Sequence, residues 1–520
     1  MIAAVTDVRP TIPALLARCA AGFGDHPYLI TPAGTLSYAG AEQRSAVLAR
    51  WLLAQGVGKG SRVGLFFPNG IDWVLWWLAA SRIGALVVPL STLYPPAELA
   101  KVLRLADVGL LVAPPSVLGA DVPALFERAL DGLAGQGRDL VLPTAPYLRR
   151  IAVTGTCDRG WALPVDPSAA APAGLLAAVE AEVTPADLAV MIHTSGSTAD
   201  PKGVLHTQGT LVRQTSAWAA AIRALTRSAG PPRVLCAMPF FWVGGLLATT
   251  GALHEPATVL TLPRLDPGAA LDLVETHRAA GVIGWPAFTR RLREHPGFAE
   301  RDLSCAPMLR DGPVDIAMVD VPDGYPVHRT MSETAGGFVH TELAIVDADG
   351  NPVPDGEIGE LWVRGIGVMA GYNKRERHET FDPDGWYHTG DRVYRRPGDP
   401  RLFYVGRSSE LIKCGGANVS PLEVEAALLE SPAVAQCVVV GVDDADRGEA
   451  VCAVVVPAGE RPDPAALAAH ARERLSAYKV PTRWAVTTAA RIPVLASGKY
   501  DRRALRGMIM RGELETTATS

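Results

Sequence analysis

Residues 191–205 read MIHTSGSTADPKGVL. Met191 and Ile192 close an apolar run that begins near Leu188, which predicts a buried strand running into a loop. His193, Thr194, Ser195, Gly196, Ser197 and Thr198 then form a hydroxyl- and glycine-rich turn, followed by Pro201, Lys202 and Gly203. Small residues let backbone N–H groups converge on one concavity, hydroxyls add donors, and Lys202 adds a positive charge. Polyphosphate oxygens need that set. The P-loop spacing G-x-x-x-x-G-K-[ST] is absent, because Lys202 lies between Pro201 and Gly203. Taken alone, the run favours the phosphate reading over an exposed Ser/Gly/Thr loop between a strand and the next element.

Length and composition narrow the class. At 520 residues the chain exceeds one ordinary domain and can bury large cores. A hydrophobic fraction of 48% with 20% charged residues fits a soluble globular protein. The net charge of −5 leaves no broad cationic field, which argues against a nucleic-acid partner. The opening MIAAVTDVRPTIPALL has no basic region ahead of its apolar residues, and Arg9 and Pro10 interrupt it, so no targeting signal is expected. The most apolar window, 74–90, contains Arg82 and Gly84 and is short for a bilayer. It reads as core helix and strand, with no membrane insertion. Seven scattered cysteines without a C-x-x-C pair read as reduced, mostly buried residues of a cytoplasmic protein, and not as a zinc site.

Apolar runs at 62–67, 86–90 and 108–112, separated by helix-patterned segments such as 41–53, predict a largely parallel sheet. Residues 120–181, rich in Ala, Gly, Pro and Leu, read as surface helices and loops. A helix is expected over 210–225 and a strand over 234–239, which ends in Phe240, Phe241, Trp242, Val243, Gly244 and Gly245. Aromatics and two glycines after a buried strand suit a pocket wall where backbone approaches a ligand. Core packing explains Phe240 and Phe241 equally well.

The run HTSGSTADPKGV resembles the phosphate loop of the adenylate-forming superfamily: acyl-CoA synthetases, aryl-CoA ligases, luciferases and peptide-synthetase adenylation domains. His193 stands where that family usually has an aromatic or similar residue, and Ala199 where it usually has Gly. Further motifs follow in the family order. Residues 239–245 are similar to a P-[LF]-F-H-x-x-G segment beside the acyl pocket, with Trp242 replacing the usual His, and 282–285 resembles the next pocket strand. The resemblance therefore assigns Trp242, Gly244 and Trp285 to the substrate pocket. Asp311 and Gly312 partly match a turn against adenine. Residues 328–334 (HRTMSET) stand for Tyr-Gly-x-Thr-Glu, which implies Met331 and Ser332 at the nucleotide and Glu333 as a ligand of Mg²⁺. Arg329 replaces the aromatic residue that commonly stacks on adenine; it can stack there too, or face an anionic substrate. The chain reaches its next strand, 343–346, sooner than relatives do, which leaves the substrate class open.

In YHTGD, Asp391 is assigned to the ribose hydroxyls, although a turn acid in isolation is more often a cap or solvated. Residues 405–413 resemble the family's linker, with Arg407 as a further ribose or phosphate contact and Ser409 in place of the usual Asp or Lys pivot. Lys413, Gly415 and Gly416 match the turn that contacts pantetheine in acyl-CoA synthetases. Ser476-x-x-Lys479 has the spacing of a β-lactamase motif without its companions, so no catalysis is assigned to it. Lys499, in PVLASGK, corresponds to the cation that meets the oxyanion as a carboxylate attacks the α-phosphate. Leu495 replaces a Thr in that motif.

The resemblance implies an α/β fold: a large multi-subdomain N-terminal region (1–405) with mainly parallel sheets and a β-rich subdomain, a hinge (406–409), and a small mobile α+β C-terminal domain (410–520). In that last part 421–429 and 464–475 read as helices, and 434–442 and 450–456 as strands. It further implies ATP-dependent adenylation of a small carboxylate with Thr194, Ser195, Gly196, Ser197 and Thr198 on the phosphates. Lys202, Glu333 and Lys499 are then the catalytic residues, and coenzyme A is the acceptor. Alternatives are a carrier-protein thiol or an amine as acceptor, including diazotisation of an arylamine through adenylated nitrite, and a non-catalytic nucleotide-binding relative. The expected partner is a small molecule, and the assembly a monomer or homodimer.

Overall fold

The computed structural model describes residues 8–194, 201–284, 286–311, 341–399, 401–407, 411–494 and 500–519. Its centre is the helix Ile71–Arg82, in which Trp73, Trp76, Trp77 and the residues between and after them are all buried. With no polar face, it must be enclosed on every side. It packs with the helices Ile12–Phe23 and Tyr38–Ala54 in a core that also takes in strand residues of two sheets. Trp51 and Leu52 lie in that core, as the apolar spacing of 41–53 predicts. Among the described residues, no helix is long and apolar enough to cross a membrane.

The larger sheet has eight strands in the order Gly371–Tyr372, Lys202–Thr207, Leu188–Thr194, Leu86–Pro89, Arg62–Leu65, Leu110–Ala113, Arg150–Val153 and Ala162–Pro164. From Leu188–Thr194 onward all neighbours are parallel. Helical crossovers cover both faces, and its middle strands are buried throughout, as parallel strands are. A second sheet orders Gly281–Ile283, Arg233–Cys236, Thr258–Leu260, Pro27–Thr31 and Gly34–Ser37. A four-stranded antiparallel sheet, Glu342–Val346, Gly359–Arg364, Tyr387–Arg395 and Leu402–Arg407, forms the β-rich part. The C-terminal domain follows, with the long hairpin Val434–Asp444 and Gly448–Pro457 at its centre and the helix Pro421–Leu429 against it.

Two segments differ from the sequence reading. Residues 120–181 are not only surface: strands Arg150–Val153 and Ala162–Pro164 complete the large sheet, and Leu140, Leu148 and Trp161 are buried. Four- and three-residue strands in a Pro- and Ala-rich stretch are too short to show a period. The helix expected over 210–225 is two, Gln208–Gln214 and Trp218–Thr226. Thr215 closes the first, its hydroxyl donating to the Leu211 carbonyl at 2.7 Å, a side-chain bond that competes with helix continuation.

Candidate functional site

Strand Leu188–Thr194 is buried from Ala189 through Ile192 and then surfaces, with His193 half-buried and Thr194 exposed. Thr194 pairs with Lys202 across an antiparallel ladder, so the loop between them connects two adjacent strands. The Lys202 ammonium lies 5.4 Å from the centre of the Tyr372 ring. Tyr372 shares a 2.8 Å hydroxyl–hydroxyl bond with Tyr387, which opens the strand carrying Asp391. Asp391 stands opposite Arg407 in the ladder, and its N–H donates to the Thr389 hydroxyl at 3.0 Å. Two positions assigned from separate motifs, one acid and one base, are thus ladder neighbours.

A cavity of about 300 Å³ opens beside Thr194. Ile192, Val204 and Met238 form its apolar wall, and Trp242 with Gly244 bounds it at the start of helix Val243–Gly251. The first glycines of that helix must be small: a Cβ on Gly245 would fall 2.3 Å from the Pro239 carbonyl oxygen. Across the cavity stand Gly416, Ala417, Asn418 and Tyr478 of the C-terminal domain. Gly415 and Gly416 form the tight turn between strands Ile412–Cys414 and Ala417–Val419, with φ of +58° and +85°. Two successive left-handed residues define a hairpin turn that side chains other than glycine's enter poorly. Lys413, exposed on that hairpin, sits 4.7 Å from the Tyr404 ring centre, and its N–H donates to Glu449 at 2.7 Å.

Two histidines also line the cavity, His193 and His206. Burial lowers the pKa of each to about 4, so both are neutral at pH 7. Their Nδ1 atoms are buried without a partner among the described residues. His206, Met238, Asn418 and Tyr478 were not singled out from the sequence. His206 carried only a local signal, an ionisable residue directly after the apolar pair Val204–Leu205. Tyr478 carried none, because the cavity residues it meets from the large region lie more than two hundred residues away in the chain.

Of the sequence-assigned residues, Trp242, Gly244, Thr194 and Gly416 meet at this cavity. Lys202 lies on the strand that carries Val204 and His206 of the cavity, while Asp391 and the Arg407 position pair in the four-stranded sheet, which the Tyr372–Tyr387 bond ties to the strand next to it. Asp311 ends the helix Pro307–Asp311. Ser195, Gly196, Ser197, Thr198, Trp285, Gly312, Arg329, Met331, Ser332, Glu333 and Lys499 lie outside the described residues. A larger cleft of about 480 Å³ adjoins Arg62, Asp107, Asp139 and Arg150, but none of the described site residues lines it. Two of its arginines are matched, Arg62 to Asp107 and Arg150 to Asp139, each at 3.0 Å.

Comparison with known proteins places the chain. The family model for AMP-binding enzymes matches residues 16–311 and 313–373, and that for the AMP-binding enzyme C-terminal domain matches 423–499. A feruloyl-CoA synthase of an Amycolatopsis species is 32% identical, over 94% of this chain and 96% of its own. A sulfoacetate–CoA ligase of Cupriavidus necator is 31% identical, over 95% and 97%. Among solved structures, an amide bond synthetase from Marinactinospora thermotolerans superposes with a TM-score of 0.73 at 28% identity, covering 95% of this chain and 99% of that one. The chain belongs to the adenylate-forming superfamily, as an AMP-forming ligase of the acyl-CoA synthetase type.

Proposed function

We propose that the protein activates a small carboxylate with ATP and passes the acyl group to coenzyme A. In the first step a carboxylate oxygen attacks the α-phosphorus, forming the acyl–phosphate anhydride as the bond to pyrophosphate breaks. No nucleophilic side chain is required, and catalysis lies in positioning and in meeting negative charge. The 194–198 loop, Lys202 and Lys499 are the groups for that charge, while Asp391 and Arg407 hold the ribose. Glu333 offers the hard oxygen donor that Mg²⁺ takes. In the second step the thiol of coenzyme A attacks the acyl carbon, AMP leaves, and the thioester forms.

The observation that carries this reading is the shared cavity: Gly416 of the C-terminal hairpin faces Trp242 and Gly244 of the large region, next to Thr194. An acceptor entering past a side-chain-free turn reaches an acyl group held against Trp242. The C-terminal domain, residues 410–520, then has two tasks. It brings Lys499 for adenylation and, after rotation about 406–409, the Gly415–Gly416 turn for transfer. About 300 Å³ of space is at the small end of ligand sites and suits a single-ring aryl acid or a short acyl acid. The likeness to an amide bond synthetase supports a second reading, with an amine as acceptor.

The test is AMP release from ATP with aryl acids, aliphatic acids and nitrite, each with and without coenzyme A or an aminoaryl acid. Turnover that depends on a carboxylic acid and coenzyme A is the expected result. Amide formation without coenzyme A selects the amine reading. Turnover only with nitrite plus an arylamine sinks the thioester ligase in favour of a diazotase. Absence of AMP under every condition sinks both readings and leaves a nucleotide-binding relative.

A further inference from the structure

The Ser476-x-x-Lys479 spacing, which the chemistry above leaves unused, has a place in the fold. A single 3-10 turn, Ala477–Lys479, brings both side chains against the large region. Lys479 is 3% exposed, and its ammonium donates to Glu98 and, at 2.8 Å, to Glu423. Glu98 lies on the helix Pro96–Leu105 of the large region and is itself 3% exposed. Its second oxygen accepts from the Ser476 N–H at 2.8 Å and the Ser476 hydroxyl at 2.7 Å. Glu98 therefore receives its bonds from the C-terminal domain, and that domain is what covers it.

Other groups facing the cluster are Tyr94 and Tyr478, whose phenols burial pushes well up and keeps neutral, and Lys101. Burial also raises the Glu423 carboxyl, and Lys479 opposes that shift. Charges this deeply buried persist only when paired, so Glu98 is buried only while Ser476 and Lys479 meet it, whereas Lys479 keeps Glu423 in either case. The cluster's chemistry suits a contact that is made and broken. Separated, each half is a charged face that water solvates, whereas an apolar patch of equal area would be left exposed. Tyr478, next to Lys479, meets Trp242 edge-on at 6.0 Å, so the cluster and the cavity wall are adjoining parts of one contact.

The geometry points to Glu98, Ser476 and Lys479 as positioning residues for acyl transfer: a polar latch between the domains that holds the Gly415–Gly416 turn at the cavity. This rests on the two-task reading of the C-terminal domain. None of the three touches the reacting atoms, and none is required when the domain is turned to present Lys499.

Lys479→Met tests it, because the two carboxylates are left facing each other with no cation between them. Acid-dependent ATP–pyrophosphate exchange, which reports adenylation alone, should stay within about twofold of wild type, while thioester formation falls about tenfold or more. Backbone hydrogen exchange should quicken in 96–105 and 474–480 and remain unchanged in the hairpin 434–457. The uncharged variant Glu98→Gln/Glu423→Gln/Lys479→Met should recover part of the transfer rate, which a purely structural loss would not do. Equal loss of both steps with faster exchange throughout overturns the latch, as does transfer at the wild-type rate. If wild type exchanges pyrophosphate but acylates no thiol, the acceptor assignment has failed. The latch is then judged by hydrogen exchange: selective opening supports it and unchanged protection overturns it.

Discussion

Among the described residues, two cations largely withdrawn from water each bind two carboxylates, and they sit in different kinds of place. Arg82, at the end of the core helix Ile71–Arg82, binds Glu180, the Glu42 carboxylate at 2.7 Å and the Glu42 carbonyl at 2.6 Å. Every group there belongs to the large region, and the planar guanidinium spans three elements with its fixed fork of donors. Lys479 joins Glu423 of its own domain to Glu98 of the other. The Arg82 carboxylates keep some contact with water, with side-chain exposures of 31% and 24%, whereas those around Lys479 are at 3% and 6%. Breaking the first cluster means unfolding the region that holds it. Breaking the second requires only that the domains part, which frees Glu98 from Ser476 and Lys479 and leaves Lys479 on Glu423. Similar inventories of charge thus serve cohesion in one place and, on the proposed latch, docking in the other.

The comparison is broken most forcefully at Arg82. Arg82→Met leaves two carboxylates and the Ser45 hydroxyl without their donor, and should cost about 3 kcal/mol of stability. Chemical denaturation measures that loss; at temperatures where the variant stays folded, its adenylation and transfer rates should keep their wild-type ratio. A loss confined to transfer would erase the distinction between the clusters. Next in size is the turn that the latch aims. Gly416→Val forces a β-branched side chain to a φ of +85°, costing about 1–2 kcal/mol locally, and places bulk in the acceptor's path. Transfer should fall with pyrophosphate exchange preserved, and equal effects on both would remove the turn from the second step.

A smaller effect is expected between Trp242 and Tyr478. A double-mutant cycle to Ala should give a coupling of about 1 kcal/mol in the transfer rate and none in exchange, if the rings meet only in this orientation. A last effect concerns His193 and His206, whose pKa values are lowered to about 4 from 6.5. Between those values the unfolded chain binds protons that the folded chain refuses. The associated stability is complete above pH 6.5 and drains away as pH falls toward 4. His206→Gln should therefore flatten the acid side of a stability–pH profile, and an unchanged slope would mean that this ring is already protonated in the fold.

Local patterns made much of this legible. The apolar window 74–90, in spite of Arg82 and Gly84, reads as a core helix and a strand, and it is. The phosphate-loop stretch predicted its own buried strand, and the Gly415–Gly416 pair its own turn, because each depends on neighbouring residues. What could not be read was convergence across the chain. Nothing near Tyr478 indicates that it will face Trp242, and Glu98 looks like an ordinary first-turn acid of an exposed helix until another domain covers it. Ser476 and Lys479 drew notice through a spacing borrowed from unrelated chemistry. Their partner is 378 residues away from Ser476, which no pattern within one segment reveals.

The central claim, that the two domains meet through the Lys479 cluster in order to transfer the acyl group, is tested most directly by omitting the first step. Preformed acyl-adenylate of the best acid and coenzyme A are mixed with enzyme, and thioester is followed in a single turnover. Wild type should convert the adenylate promptly, Lys479→Met about tenfold or more slowly, and the uncharged triple variant between the two. Conversion by Lys479→Met at the wild-type rate would contradict the account.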